Sequence, residues 1–123
     1  MGTVRHFGRG FSSRDERGVR AVACMNSDVI DAYPEVVDEI LEAGWEFQGH
    51  GKFQSSMTEE NEEEIINVSL ERMRSFSGQP VRGWIGPALK ESTKTPELLK
   101  AAGIDYISDW GVIDDLPVWM KTD

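Results

Sequence analysis

Cys24 is the chain's single cysteine, so no intramolecular disulfide can form and a disulfide-stapled secreted domain is excluded. No stretch reaches the ~18 apolar residues of a membrane-spanning helix, and the N-terminus lacks a signal peptide's apolar core. A cytoplasmic protein with no membrane partner is expected. Basic residues are scarce, with 13 Lys and Arg against 22 Asp and Glu and a formal net charge of -9. That balance argues against nucleic acid, whose phosphates require a cationic surface. The chain has no glycine-rich phosphate loop. It has two histidines, not paired at the helical spacing of a metal motif. No internal repeat is present.

What is there suits one small globular domain. The chain has 123 residues, and the 39% that are apolar fall in clusters able to form a core. Residues 1–18 read as an irregular basic arm, with Arg5, Arg9, Arg14 and Arg17 among glycines and serines. The arm is either solvated or paired with an acidic surface of a second copy. Residues 19–123 form the α/β domain. Cys24 sits in an apolar run and is expected to fill the core rather than act as a nucleophile.

The apolar pattern alternates between strand and helix. Val19 to Met25 reads as a buried strand and residues 30 to 43 as a helix, with Pro34 near its first turn and Gly44 as its stop. Trp45 to Gln48 is the second strand. A helix over residues 58 to 77, capped by Ser56 or Thr58, carries an acidic first part and the stripe Ile65, Ile66, Leu70, Met73, Phe76. The acidic run is expected to be a solvated helix start. Val81 to Ile85 is a third strand. A helix capped by Thr95 spans residues 96 to 102, Ile104 to Trp110 is a fourth strand, and Leu116 to Met120 a fifth. Such alternation predicts a mostly parallel sheet with helices packed on it.

In parallel sheets the chemistry gathers at the carboxyl ends of the strands. Asn26-Ser27-Asp28, Gly49-His50-Gly51, Gly86-Pro87 and Asp109-Trp110 fall there. His50 can ligate a metal, act as a general base, or be a structural histidine. Asp109 can orient His50, bind a metal, contact substrate, or form a turn. Arg82 can hold a carboxylate, of substrate or of Asp109, or be an ordinary strand residue. Asp114 and Asp115 suit a turn, and His6 lies in the arm. A receiver-like or flavodoxin-like small-ligand module also suits a short parallel sheet, but a receiver needs acids after the first strand, and Asn26-Ser27-Asp28 offers one.

Tyr33-Pro34-Glu35, then Gly44-Trp45-Glu46-Phe47-Gln48-Gly49-His50-Gly51, then Arg82-Gly83-Trp84-Ile85-Gly86-Pro87, Thr95-Pro96-Glu97-Leu98-Leu99, and Ala102-Gly103-Ile104-Asp105-Tyr106 with Asp109-Trp110 occur in this order. The series resembles the polysaccharide deacetylase (NodB-like, carbohydrate esterase) family over about residues 19 to 120. It is similar in particular to the branch with metal-independent allantoinases. The resemblance implies a partial or distorted (β/α) barrel. It also implies hydrolysis of a non-peptide C–N bond in a small amide, ureide or N-acetyl sugar.

In metal-dependent members an early aspartate pair supplies the base and one ligand, and an H-x-x-x-H pair supplies the other ligands. Here His50 matches the first histidine and Gln54 stands at the second. The aspartate pair has no counterpart, and the last histidine motif would lie beyond Asp123. No cofactor is therefore expected, a weakly held divalent metal such as zinc being the alternative. His50 is then base or carbonyl polariser, with Arg82 and Asp109 as electrostatic helpers and Asn26, Trp84, Pro87 and Trp110 as substrate contacts. Five strands are fewer than a closed barrel needs. Self-association is the expected remedy for open edges, and a non-catalytic truncated remnant of the fold is the alternative to an enzyme.

Overall fold

The computed structural model describes residues 18–55, 57–110 and 116–122. Most of the basic arm, with His6, lies outside them, as do Ser56, Asp114 and Asp115. Four strands form one sheet: β1 (Val22–Met25), β2 (Glu46–Gly49), β3 (Gly83–Trp84) and β4 (Tyr106–Ile107). Their order in space is β1-β2-β3-β4, and every neighbouring pair is parallel. The helices are α1 (Val29–Ala32), α2 (Pro34–Glu42), α3 (Glu62–Ser77) and α4 (Thr95–Ala101).

Several boundaries depart from the sequence reading, each for a local reason. The helix expected over residues 30 to 43 is two helices, because Tyr33 leaves the helical region (φ -141, ψ 60). The ring of Pro34 disfavours helical backbone in the residue before it. The long third helix starts at Glu62, not near Thr58. Thr58 instead closes a turn: its carbonyl accepts from Asn61 N (3.1 Å) and Glu62 N (2.9 Å), and its own N–H donates to Asn61 Oδ1 at 2.8 Å. At its far end α3 stops on Gly78 in the left-handed region (φ 67), which costs glycine little.

The acidic start of α3 is not wholly solvated. Glu62 is 2% exposed and accepts hydrogen bonds from Ser92 Oγ at 2.7 Å and Thr95 Oγ1 at 2.6 Å. Thr95 is thus the first residue of α4 rather than its cap, which is Lys94, and its hydroxyl serves α3 instead. The third strand is shorter than expected because Val81 has φ 44, outside the strand region. Arg74 holds that bend by donating to the carbonyls of Pro80 (2.7 Å) and Val81 (3.1 Å). No strand occurs over Leu116 to Met120.

Strand alternation divides the sheet into two faces. Met25, Phe47, Trp84 and Ile107 point to the helices and join Val37, Ile40, Ile66, Leu70, Met73 and Leu99 in the core. The other face carries the row Cys24, Gln48, Gly83, Tyr106, in register across the strands. Cys24 is exposed there, so it is not the core filler expected.

Two glycines let the faces close. The Tyr106 ring lies over Gly83, where a Cβ would overlap it. On the helix side, a Cβ at Gly49 would come within 2.7 Å of Trp84 Cε3 and 3.0 Å of Leu70 Cδ2. Both neighbours are fully buried. Gly49→Ala is therefore expected to destabilise the fold by about 1–3 kcal/mol through overpacking, read as a lower urea midpoint at unchanged slope.

Candidate active site

The loops after β1 and β2 are laced together. Ser27 N donates to Gly51 O and Asp28 N to Lys52 O, each at 3.0 Å. Asn26 Nδ2 donates to the His50 carbonyl. Asn26 is thus engaged in fixing the His50 backbone. Gly51 follows with φ +73, and a Cβ there would sit 3.0 Å from Pro87 Cγ. Pro87 is buried against this turn, so it shapes the rim rather than lying open to a ligand.

His50 is held at both ring nitrogens. Nδ1 lies 2.7 Å from the Ile85 carbonyl oxygen. A carbonyl only accepts, so Nδ1 carries a proton. Nε2 lies 2.8 Å from the Gln54 side-chain amide oxygen as placed. That orientation suits a charged ring, and turning the amide to offer its NH2 suits a neutral one. Gln54 therefore adapts to either protonation state. It stands four residues after His50, where the resemblance places a second ligand.

Asp109 reaches the same strand end from β4. Its Oδ1 accepts from Gly86 N at 2.6 Å, one residue past the carbonyl that holds His50. His50 and Asp109 thus grip adjacent residues of one loop. The rim is tied further by Gln48, whose Nε2 donates to the Trp84 carbonyl (3.2 Å) and Ser108 Oγ (2.8 Å).

Arg82 and Trp84 are elsewhere, and both expectations for them are corrected. Arg82 precedes β3, at the amino end of the strand, and its Nε pairs with Asp105. It does not reach Asp109, because the rim lies at the other end of the strand. Trp84 is 0% exposed and lies on the helix face against Gly49 and Leu70, so it contacts no ligand. Trp110 is half-exposed and stays at the rim.

Sequence reasoning missed Glu91. After Gly86 the chain passes through a 3-10 turn, Pro87–Leu89, in which Ala88 (φ 60) and Leu89 (φ 54) are left-handed. Non-glycine residues adopt that conformation at a cost of about 1 kcal/mol or more each. The turn brings Glu91 to face Asp109 and Trp110. Burial first, then the facing Asp109, pushes the Glu91 carboxyl up to about 8, while Trp110 pulls it down and Glu62 adds to the rise. Partial desolvation first, then the Asp109 charge, also raises the Cys24 thiol, which disfavours a nucleophilic thiolate. Among the described residues, no group of three His, Cys, Asp or Glu side chains is placed to hold a metal.

The profile of the polysaccharide deacetylase family matches residues 11–107. No curated protein matches significantly. Among solved structures, a Mycobacterium smegmatis protein assigned to the polysaccharide deacetylases is 25% identical, with TM-score 0.75 over 82% of this chain and 36% of its own. A CE4 family pseudoenzyme from Bacillus anthracis is 12% identical, with TM-score 0.76 over 84% of this chain and 38% of its own. A mutant of that pseudoenzyme with restored enzymatic activity superposes with TM-score 0.77 at 12% identity, over 85% of this chain and 39% of its own. The chain thus spans under two-fifths of the length of the structures it matches.

Proposed function

This chain belongs to the polysaccharide deacetylase family, and from that premise we propose that its rim serves hydrolysis of a non-peptide C–N bond with His50 as the base. The observation that carries this reading is the clamp on His50. With its Nδ1 proton donated to the Ile85 carbonyl, a neutral ring keeps its lone pair on Nε2, the nitrogen facing Gln54. Gln54 is then the gate: its amide moves aside, and Nε2 takes a proton from water as the oxygen attacks the carbonyl carbon. The same proton passes to the nitrogen as the C–N bond breaks, leaving acid and amine. Asp109 holds the loop behind the ring through Gly86. Arg82 has no part in this scheme.

The ligand set of the metal-dependent members does not fit the residues described. Gln54 offers an amide where that set has an imidazole, and such amides are poor zinc ligands. The proposed reaction is therefore metal-independent. The substrate class is a small amide, a ureide or an N-acetyl sugar. The exposed apolar side chains Leu116, Val118 and Trp119, close to Tyr106 and Trp110 along one open groove, support self-association as a homo-oligomer. Light scattering on the eluting peak of a sizing column is expected to report more than one copy, and a clean monomer refutes that part. A cytoplasmic location belongs to the same proposal and is supported by the single cysteine. Among the described residues, no helix is long and apolar enough to cross a membrane.

The test is to incubate the full chain with N-acetylated chito-oligosaccharides and, separately, with allantoin, measuring acetate release and ring opening. Turnover of one of them that vanishes in His50→Ala supports the reading. No turnover of either, or equal turnover in the variant, favours a non-catalytic member of the fold.

A further inference from the structure

Both Glu91 oxygens and Asp109 Oδ2 are buried, and none has a hydrogen-bond partner among the described residues. Two ionised carboxylates facing each other in this way would repel and, but for the Trp110 indole beside Glu91, would lack donors. One proton resolves both problems, because an acid donates to a carboxylate. Asp109 Oδ1 is already occupied by the Gly86 N–H, so Oδ2 is the oxygen free to take part. The loop between the two acids is where His50 is anchored, through the Ile85 carbonyl.

We propose that Glu91 is a positioning residue for the histidine: it keeps a proton that it shares with Asp109, and so locks the Ile85–Gly86 loop that orients the His50 ring. The linkage runs from Glu91 to Asp109, from Asp109 to the Gly86 amide, and from the neighbouring Ile85 carbonyl to His50 Nδ1. Glu62 is the other acid facing Glu91 and adds to the rise, while the Trp110 indole beside Glu91 partly offsets it. Cys24 is the titratable group that feels Asp109 from the sheet. Glu62 has its own donors in Ser92 and Thr95, so it does not compete for the shared proton.

The pH dependence follows from the direction of the shift. The folded state retains a proton that the unfolded chain gives up in the ordinary carboxyl range, so the native state binds more protons between there and about 8. Stability therefore falls as pH rises through that window, and levels off above it. Loss of the proton leaves two facing charges and loosens the loop. The proposal rests on His50 being the working group, yet its central claim is read without any substrate.

The experiment follows the Gly86 amide and the His50 Nδ1–H by nitrogen-15 NMR on the full chain across neutral to alkaline pH. In the wild type, both signals are expected to shift together with a midpoint near 8. In Glu91→Gln, whose amide donates to Asp109 at every pH, both are expected to stay at their neutral-pH positions. Asp109→Asn, which donates in the other direction, removes the transition as well and serves if the first variant folds poorly. The same transition surviving in either folded variant overturns the proposal. So does a wild-type midpoint in the ordinary carboxyl range, or a reversal of the alkaline shift by magnesium or calcium chloride, which would mean a cation fills the gap instead. If the chain turns over a substrate, kcat falls above the midpoint while KM holds, and Glu91→Gln extends the plateau. Absence of turnover would sink the hydrolase reading and leave the NMR result standing.

Discussion

Trp84→Ala is expected to lower stability by about 3–5 kcal/mol, as for other buried Trp and Phe truncations. A small domain holds only about 5–15 kcal/mol in total, so much of the population would unfold near the temperature at which the parent is secure. The reason is position. Trp84 is the largest fully buried side chain, and its ring fills the space that Gly49 and Leu70 leave above β3. A companion variant separates size from polarity. Its Nε1 has no hydrogen-bond partner among the described residues, so Trp84→Phe removes a donor that was left unsatisfied and keeps most of the ring. It should cost less than half as much. Urea unfolding followed by far-ultraviolet circular dichroism measures both. An equal loss in the two variants would mean that the indole nitrogen matters after all.

His50→Ala should abolish about 10²–10⁴-fold of whatever hydrolysis the rim supports, the usual contribution of a positioned general base. The informative control is Arg82→Ala. Its guanidinium pairs with Asp105 at the amino end of β3, with both side chains largely exposed. Exposed ion pairs contribute about 0–1 kcal/mol, so neither activity nor stability should change by more than a few-fold. Comparable activity losses in the two variants would move the chemistry to the amino end of the sheet, away from His50. Rates at saturating substrate, paired with a denaturation curve for each variant, make the comparison clean.

The parallel sheet was legible because the apolar segments alternate between short runs and one-sided stripes. The stripe Ile66, Leu70, Met73 is buried as α3 predicts. The rim was legible for His50 and Asp109, since both follow strand ends. Arg82 was misplaced because a strand expected to begin at Val81 begins at Gly83, which puts the arginine before the strand and away from its carboxyl end. Trp84 was misread for want of face assignment: its partner in register is Gly49, and a large ring beside a glycine marks a core contact. Glu62 read as one more solvated acid, because its donors Ser92 and Thr95 lie 30 and 33 positions away. Glu91 carries no signal in the sequence. Two successive left-handed residues with side chains, Ala88 and Leu89, bring it round, and no local propensity forecasts that.

The order of the strands carries a consequence for biogenesis. Each strand lies beside its immediate predecessor in the chain, so a polypeptide leaving the ribosome meets its docking edge already made. Such a layout suits stepwise growth from the first strand onward, without waiting for a distant segment to arrive. Nascent chains arrested after Ser77 would then protect the β1–β2 ladder from proteolysis before β4 has been synthesised.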